Sequence, residues 1–333
     1  MPITSRERVL TALAHRQPDV APWQIDLTGD ARDNVAAYLH DADFESKVGD
    51  HLARCEDDYA VEIRPGFWRD QFGVTWNRTV DRDIGIVQEY LLPTPDLTSY
   101  HFPEPNLERN ARIYQYLSNQ HPDKFRYVWV GWSLFERSWT LRGMENLLVD
   151  MMLRPSFVDA LMDRILEYSL KVIEHALQFD IDGVGFGDDW SHQTGLIMGA
   201  RLWRRFIKPR LALMFDRVKT ADKYVMLHSC GAVQELFPEL IDMGLDVFNT
   251  FQPEVMDVDF CKREYGRHLT FYGGISTQQV LPRVGPDQVK DVVREMIEKI
   301  GVEGGYIVAP THDIPGDVPP ENILAFIEAV QNQ

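Results

Sequence analysis

The chain has 333 residues, 44% of them hydrophobic and 26% charged, and carries a net charge of −17. That composition supplies a large core, and the length suits one domain only if the fold is a barrel of alternating strands and helices. So acidic a surface repels phosphate backbones and anionic membranes, which sets aside nucleic-acid and membrane partners. The three cysteines, Cys55, Cys230 and Cys261, are too few and odd in number for a disulfide framework, and point to a reducing compartment. No window approaches ~18 continuous apolar residues, and the first residues lack the apolar run of a signal peptide. A soluble cytoplasmic protein is the expectation.

Taken in order, residues 4–16 predict a helix. Thr4 and Glu7 fit a capping box, Val9, Leu10 and Leu13 form an apolar stripe, and Pro18 ends it. Pro22 to Leu27 reads as a first strand that runs into Thr28-Gly29-Asp30 and places Asp26 near its end. Residues 32–52 are weakly helical, and Tyr59 to Ile63 is the second strand candidate. Val74-Thr75-Trp76 and Ile84 to Val87 predict a small inserted hairpin, and the four prolines between residues 91 and 108 mark a surface loop.

Beyond this loop the pattern is regular. Arg126 to Val130 predicts a strand leading to Gly131-Trp132-Ser133, followed by helices over 134–152 and 156–178. Gly183 to Phe186 leads into Gly187-Asp188-Asp189-Trp190, and a helix covers 199–220. Tyr224 to Leu227 leads into His228-Ser229-Cys230, where the chain turns at Gly231 and enters an amphipathic run to Ile241. Strands at 247–250, 269–272 and 305–308 follow, with helices over 286–300 and from Pro320 to about Val330. Strands alternating with helices imply parallel pairing, and their spacing predicts a (β/α)₈ TIM barrel: one domain over 1–333 with an N-terminal helix and a hairpin insertion. A doubly wound sheet is the alternative. Nucleotide-binding glycine patterns are not found at the strand-to-helix turns.

Barrels of this type collect function at the carboxyl ends of their strands. There this chain places Asp26, Ser133, Asp188 with Asp189, His228 with Cys230, Gln252, Ser276 and His312. Residues i and i+2 of a strand point the same way, so His228 and Cys230 present an imidazole and a thiol together. Catalytic zinc takes three protein ligands and keeps one position open. A third ligand is open among His312, Asp189, Cys261 and Glu62, with His312 following the last strand. Adjacent Asp188 and Asp189 divide between capping the next helix and facing the mouth. The aromatic run Tyr127, Trp129, Trp132, Phe135 and Trp139 reads as core, with Trp132 as the substrate-facing exception.

These residues carry a resemblance. The opening Thr4 to Val9 with Pro18-Asp19 and Pro22-Trp23, the segment Gly187 to Trp190, the run His228 to Ile241, Tyr272 to Ile275 and the tail Gly304 to Ala329 resemble the uroporphyrinogen decarboxylase superfamily. The resemblance implies a cytoplasmic (β/α)₈ barrel in one of two branches. The decarboxylases hold a porphyrinogen with paired arginines after the first strand; here that loop is Gln24 to Asp30, with no arginine before Arg32. The zinc- and corrinoid-dependent methyltransferases carry an H-x-C pair, matched by His228 and Cys230, and a later cysteine, where this chain has Thr311-His312.

The resemblance therefore implies a zinc-dependent methyltransferase, an O-demethylase component. It would move a methyl group from a small donor, an aryl methyl ether, to the corrinoid (cobalamin) of a partner protein. Its implied metal ligands are His228 and Cys230, with His312 or an acid as the third. Asp188 and Asp189 are the expected catalytic residues, and Asp26 and Trp132 the expected substrate contacts. A cofactor-free decarboxylase acting on another substrate is the alternative, and a non-catalytic tetrapyrrole- or corrinoid-binding protein is a third reading. A homodimer is one assembly left open.

Overall fold

The computed structural model describes residues 3–333. A seven-stranded sheet takes Leu52–Glu56, Phe125–Val130, Gly183–Gly187, Tyr224–His228, Val247–Thr250, Thr270–Ile275 and Tyr306–Pro310 in sequence order. An eighth position is filled by the extended segment 22–28. It makes isolated parallel bridges at Trp23 with Val308 and Leu27 with Ile314, and its Trp23 carbonyl accepts the His51 N–H just before the first sheet strand. The segment thus pairs on both sides, as the expected first strand of a (β/α)₈ barrel must. The fold is the TIM barrel that the strand–helix spacing predicts.

Two compact units divide the chain: Met1–Ala53 with His121–Arg126 and Ser229–Gln333, and Arg54–Gln120 with Tyr127–His228. In the second, Gly183–Gly187 is flanked in parallel by Tyr127–Val130 and by Tyr224–His228, with Trp129 opposite Gly185 and His228 opposite Gly187. Phe186 points away from the glycine face and stacks on Phe215 of the helix Lys208–Thr220 at 5.6 Å. Both rings are fully buried, each contributing about 1.5–3 kcal/mol by leaving water. In the first unit, Val247–Thr250, Thr270–Ile275 and Tyr306–Pro310 pair in register.

The N-terminal helix is Ser5–Leu13, capped reciprocally by Thr4 and Glu7 as its sequence predicts. Pro155 occupies the first turn of the long helix Pro155–Ala176. Elsewhere the structure corrects the expectations. The residues predicted as the second barrel strand lie in Ala60–Arg64, which belongs instead to a four-stranded antiparallel sheet with Phe67–Asp70, Thr75–Asn77 and Ile86–Val87. Its alternating Val61, Glu62, Ile63 and Arg64 suit a two-faced antiparallel strand rather than a strand buried on both faces. The barrel position goes to Leu52–Glu56. The predicted hairpin is present as the pair Thr75–Asn77 and Ile86–Val87.

The helix expected over 134–152 is two, Leu134–Arg142 and Met144–Leu153, parted at Gly143, whose φ of +88° continues neither. A helix at Leu107–Gln120 went unpredicted because its buried residues, Asn110, Tyr114 and Leu117, make a thin and partly polar stripe. Among the described residues, no helix is long and apolar enough to cross a membrane.

Candidate metal centre

The His228-Ser229-Cys230 segment is held by backbone pairing up to its turn. The His228 carbonyl accepts the Asp188 N–H at 3.1 Å, and Ser229 N–H donates to the Asn249 carbonyl at 2.9 Å. The chain then turns at Gly231, where φ is +84°, and the Gln252 side chain accepts the Gly231 N–H at 2.7 Å. That bond fixes the turn that delivers the Cys230 thiol. His312 follows Tyr306–Pro310. Its neighbour Thr311 donates its N–H to the Ile275 carbonyl at 2.9 Å and accepts the Thr277 N–H on its hydroxyl at 3.2 Å.

The liganding atoms of His228, Cys230 and His312 all lie within 4.8 Å of one another. Two nitrogens and a sulfur match the ligand types of a catalytic zinc site with one open position. Ligands of a tetrahedral zinc stand roughly 3.3–3.8 Å apart, given bonds of about 2.0–2.3 Å. His228 and Cys230 are half-buried and His312 is exposed, so the set has a protein side and an open side. Cys261, an alternative third ligand, is fully buried in the helix Val258–Tyr265, and burial pushes its thiol up to about 12. Glu62, another alternative, is exposed on the antiparallel sheet.

The paired aspartates separate as their alternation predicts. Asp188 is fully buried. Its carboxylate accepts the backbone N–H of Phe135 at 3.0 Å and of Glu136 at 2.8 Å, and the Trp190 indole N–H at 2.6 Å. It thus caps the helix Leu134–Arg142, which precedes it in the chain, rather than the next helix. Burial pushes its carboxyl up to about 6 against these three donors. Asp189 is more open, with its carboxylate 3.9 Å from Nε2 of His228.

Glu136 was not singled out from the sequence. It lies in the first turn of that same helix, half-buried. Burial foremost, then the Asp189 and Asp188 carboxylates, pushes its carboxyl well above the ordinary range.

Asp26 is half-buried. Its carbonyl accepts the Ile314 N–H at 2.9 Å, beside the loop of His312, and its carboxylate accepts from the Gln24 amide at 3.1 Å. Trp132 takes a φ of +44°. It packs at 4.8 Å against Trp76 of the antiparallel sheet and at 5.8 Å against Trp139. The indole that meets His228 is instead Trp129, edge-on at 6.0 Å.

Residues 134–333 match the family model described as uroporphyrinogen decarboxylase (URO-D). A curated relative is the methylated-thiol–coenzyme M methyltransferase of Methanosarcina mazei, 24% identical over 193 residues, which cover 57% of this chain and 48% of the relative. The chain thus spans about half the length of the curated relative it matches. A solved structure described as a methyltransferase from Methanosarcina mazei superposes with a TM-score of 0.77 at 17% identity, covering 99% of each chain. That likeness concerns the fold.

Proposed function

This chain belongs to the uroporphyrinogen decarboxylase (URO-D) family, and on that footing we propose that it is a methyltransferase. It takes a methyl group from a small donor, an aryl methyl ether, and passes it to the corrinoid of a partner protein. The observation that carries this reading is the gathering of His228, Cys230 and His312 within 4.8 Å. The methyl-transfer name of the curated relative supports it.

His228, Cys230 and His312 would hold a zinc ion, which when bound supplies Lewis acidity at the departing oxygen. The chain's own residues do the rest. Asp189 orients the His228 ring by charge. Asp188 clamps the helix that carries Glu136. The Glu136 carboxyl, pushed well above the ordinary range by burial and by its neighbours, is the proposed proton donor to the departing phenolate. Asp26 and Trp132 are the proposed donor contacts. A neutral, apolar ether enters an acidic protein without electrostatic cost.

The decarboxylase alternative is less well supported. Its porphyrinogen carboxylates would meet Asp26 and Asp30, while Arg32 is exposed and paired with Glu45 at 2.7 Å. The relative's name favours one variant of the main reading, a methylated thiol as donor.

Metal analysis and a donor screen test the proposal together. We expect about one zinc per chain in protein purified without added metal, and its loss in Cys230→Ser. With a reduced corrinoid protein as acceptor, methoxybenzenes should be demethylated in preference to methylated thiols and methylamines. A zinc-free, folded wild type ends the Lewis-acid mechanism; turnover of thiols alone replaces the donor.

A further inference from the structure

In the strand Phe125–Val130 every residue is buried except Trp129. The indole is nevertheless not on the outer, helix-covered side of the sheet. Its partner across the ladder is Gly185, and Gly187 follows on the same face, opposite to the one from which Phe186 reaches the helix layer. Trp129 lies directly over those glycines. A Cβ at Gly185 would stand 2.6 Å from Trp129 Cε3, and one at Gly187 would stand 3.1 Å from Cζ2. Alternation in Gly183-Val184-Gly185-Phe186-Gly187 therefore has a purpose: the glycines make a flat bed, and the bed seats an indole.

One indole face is thus covered, while the residue stays half-buried and its ring meets the His228 ring at 6.0 Å with the planes at 86° and the Tyr127 ring at 6.3 Å. Exposed aromatic surface on the inner face of a barrel, beside a metal-ligating histidine, is where an apolar ligand gains most by binding.

We propose that Trp129, seated on Gly185 and Gly187 beside His228, is the platform on which the ring of the aromatic methyl donor stacks, and that it selects aromatic over saturated donors. This deepens the methyltransferase reading and rests on it for the identity of the donor. A saturated ring has no π-face to stack and presents a thicker profile to the same surface.

The test is a binding titration without corrinoid or turnover, following tryptophan fluorescence of the full chain with 1,2-dimethoxybenzene and with its saturated analogue, 1,2-dimethoxycyclohexane. Wild type should bind the aromatic probe about tenfold tighter than the saturated one. Trp129→Leu should erase that preference while keeping the zinc content of the wild type. If Trp129→Leu does not fold, Gly187→Ala decides. Its new methyl would stand 3.1 Å from Cζ2 and displace the indole by a few tenths of an ångström, and the aromatic preference should fall. Equal binding of the two probes by wild type, or an unchanged preference in the Trp129 and Gly187 variants, overturns the proposal. Because no methyl transfer is read, a failed donor screen leaves this result standing, and an active enzyme indifferent to Trp129 sinks the platform alone.

Discussion

The Asp189 carboxylate stands 3.9 Å from Nε2 of His228. That is too long for a formed hydrogen bond, but close enough to bias the orientation of the imidazole by charge. Carboxylates beside metal-ligating histidines typically contribute 10–100-fold in affinity. Asp189→Asn should therefore weaken zinc binding by about tenfold, read by competition with a chromophoric chelator. Affinity equal to wild type would remove Asp189 from the centre.

Asp188 has a different task. Its carboxylate gathers the N–H groups of Phe135 and Glu136 and the Trp190 indole in a fully buried site. Asp188→Ala leaves these donors without their acceptor and should cost about 2–4 kcal/mol in urea unfolding. Asp188→Asn keeps an acceptor oxygen and should cost less, with zinc retained by the folded protein. An Ala variant within about 0.5 kcal/mol of wild type would mean that the clamp carries no load.

Arg137 fastens the antiparallel sheet to the helix Leu134–Arg142. The side chain is almost wholly buried, paired with Asp70 at 2.6 Å and near Asp58 at 3.5 Å. Removing the cation strands the carboxylates, so Arg137→Ala should destabilise by about 3–5 kcal/mol. Limited proteolysis should then cut first between residues 60 and 90. Cleavage elsewhere, at unchanged stability, would refute this anchoring role.

Asp50 makes stability depend on pH. Burial foremost, aided by Asp26, pushes its carboxyl up to about 7, although it accepts the Ile25 N–H at 2.9 Å. A group raised in the folded state stabilises fully below its unfolded value near 3.8. That contribution is lost as pH rises from about 4 through 7, because over that window the unfolded chain has released a proton that the folded protein still holds. Asp50→Asn keeps the acceptor and removes the titration. Between pH 4 and 7 its unfolding free energy should fall less steeply than that of wild type, the two slopes differing by about 1–3 kcal/mol over the interval. Parallel pH profiles would show that Asp50 is not the source.

Local chemistry made much of the fold legible in advance. Thr4 and Glu7 announce the first helix through reciprocal capping, and Pro155 marks the start of the longest one, because both act within a single turn of chain. The Tyr224–His228 strand ends where its apolar run meets the polar His228-Ser229-Cys230 turn. Ala60–Arg64 and Leu52–Glu56 were exchanged because neither reads as a continuous apolar run, and only pairing partners distinguish them.

The sequence by itself determined the alternation of strand and helix, the strand ends that carry polar residues, and the pairing of an imidazole with a thiol two residues apart. All of these follow from periodicity and turn chemistry over short stretches. Tertiary structure alone decided that His312 joins that pair, that Asp188 caps a helix some fifty residues earlier, and that Trp129 rather than Trp132 lies beside His228. These depend on ladder register and on which face of a strand meets which neighbour. In Gly183–Gly187, a shift of one residue would exchange the glycine bed for Val184 and Phe186.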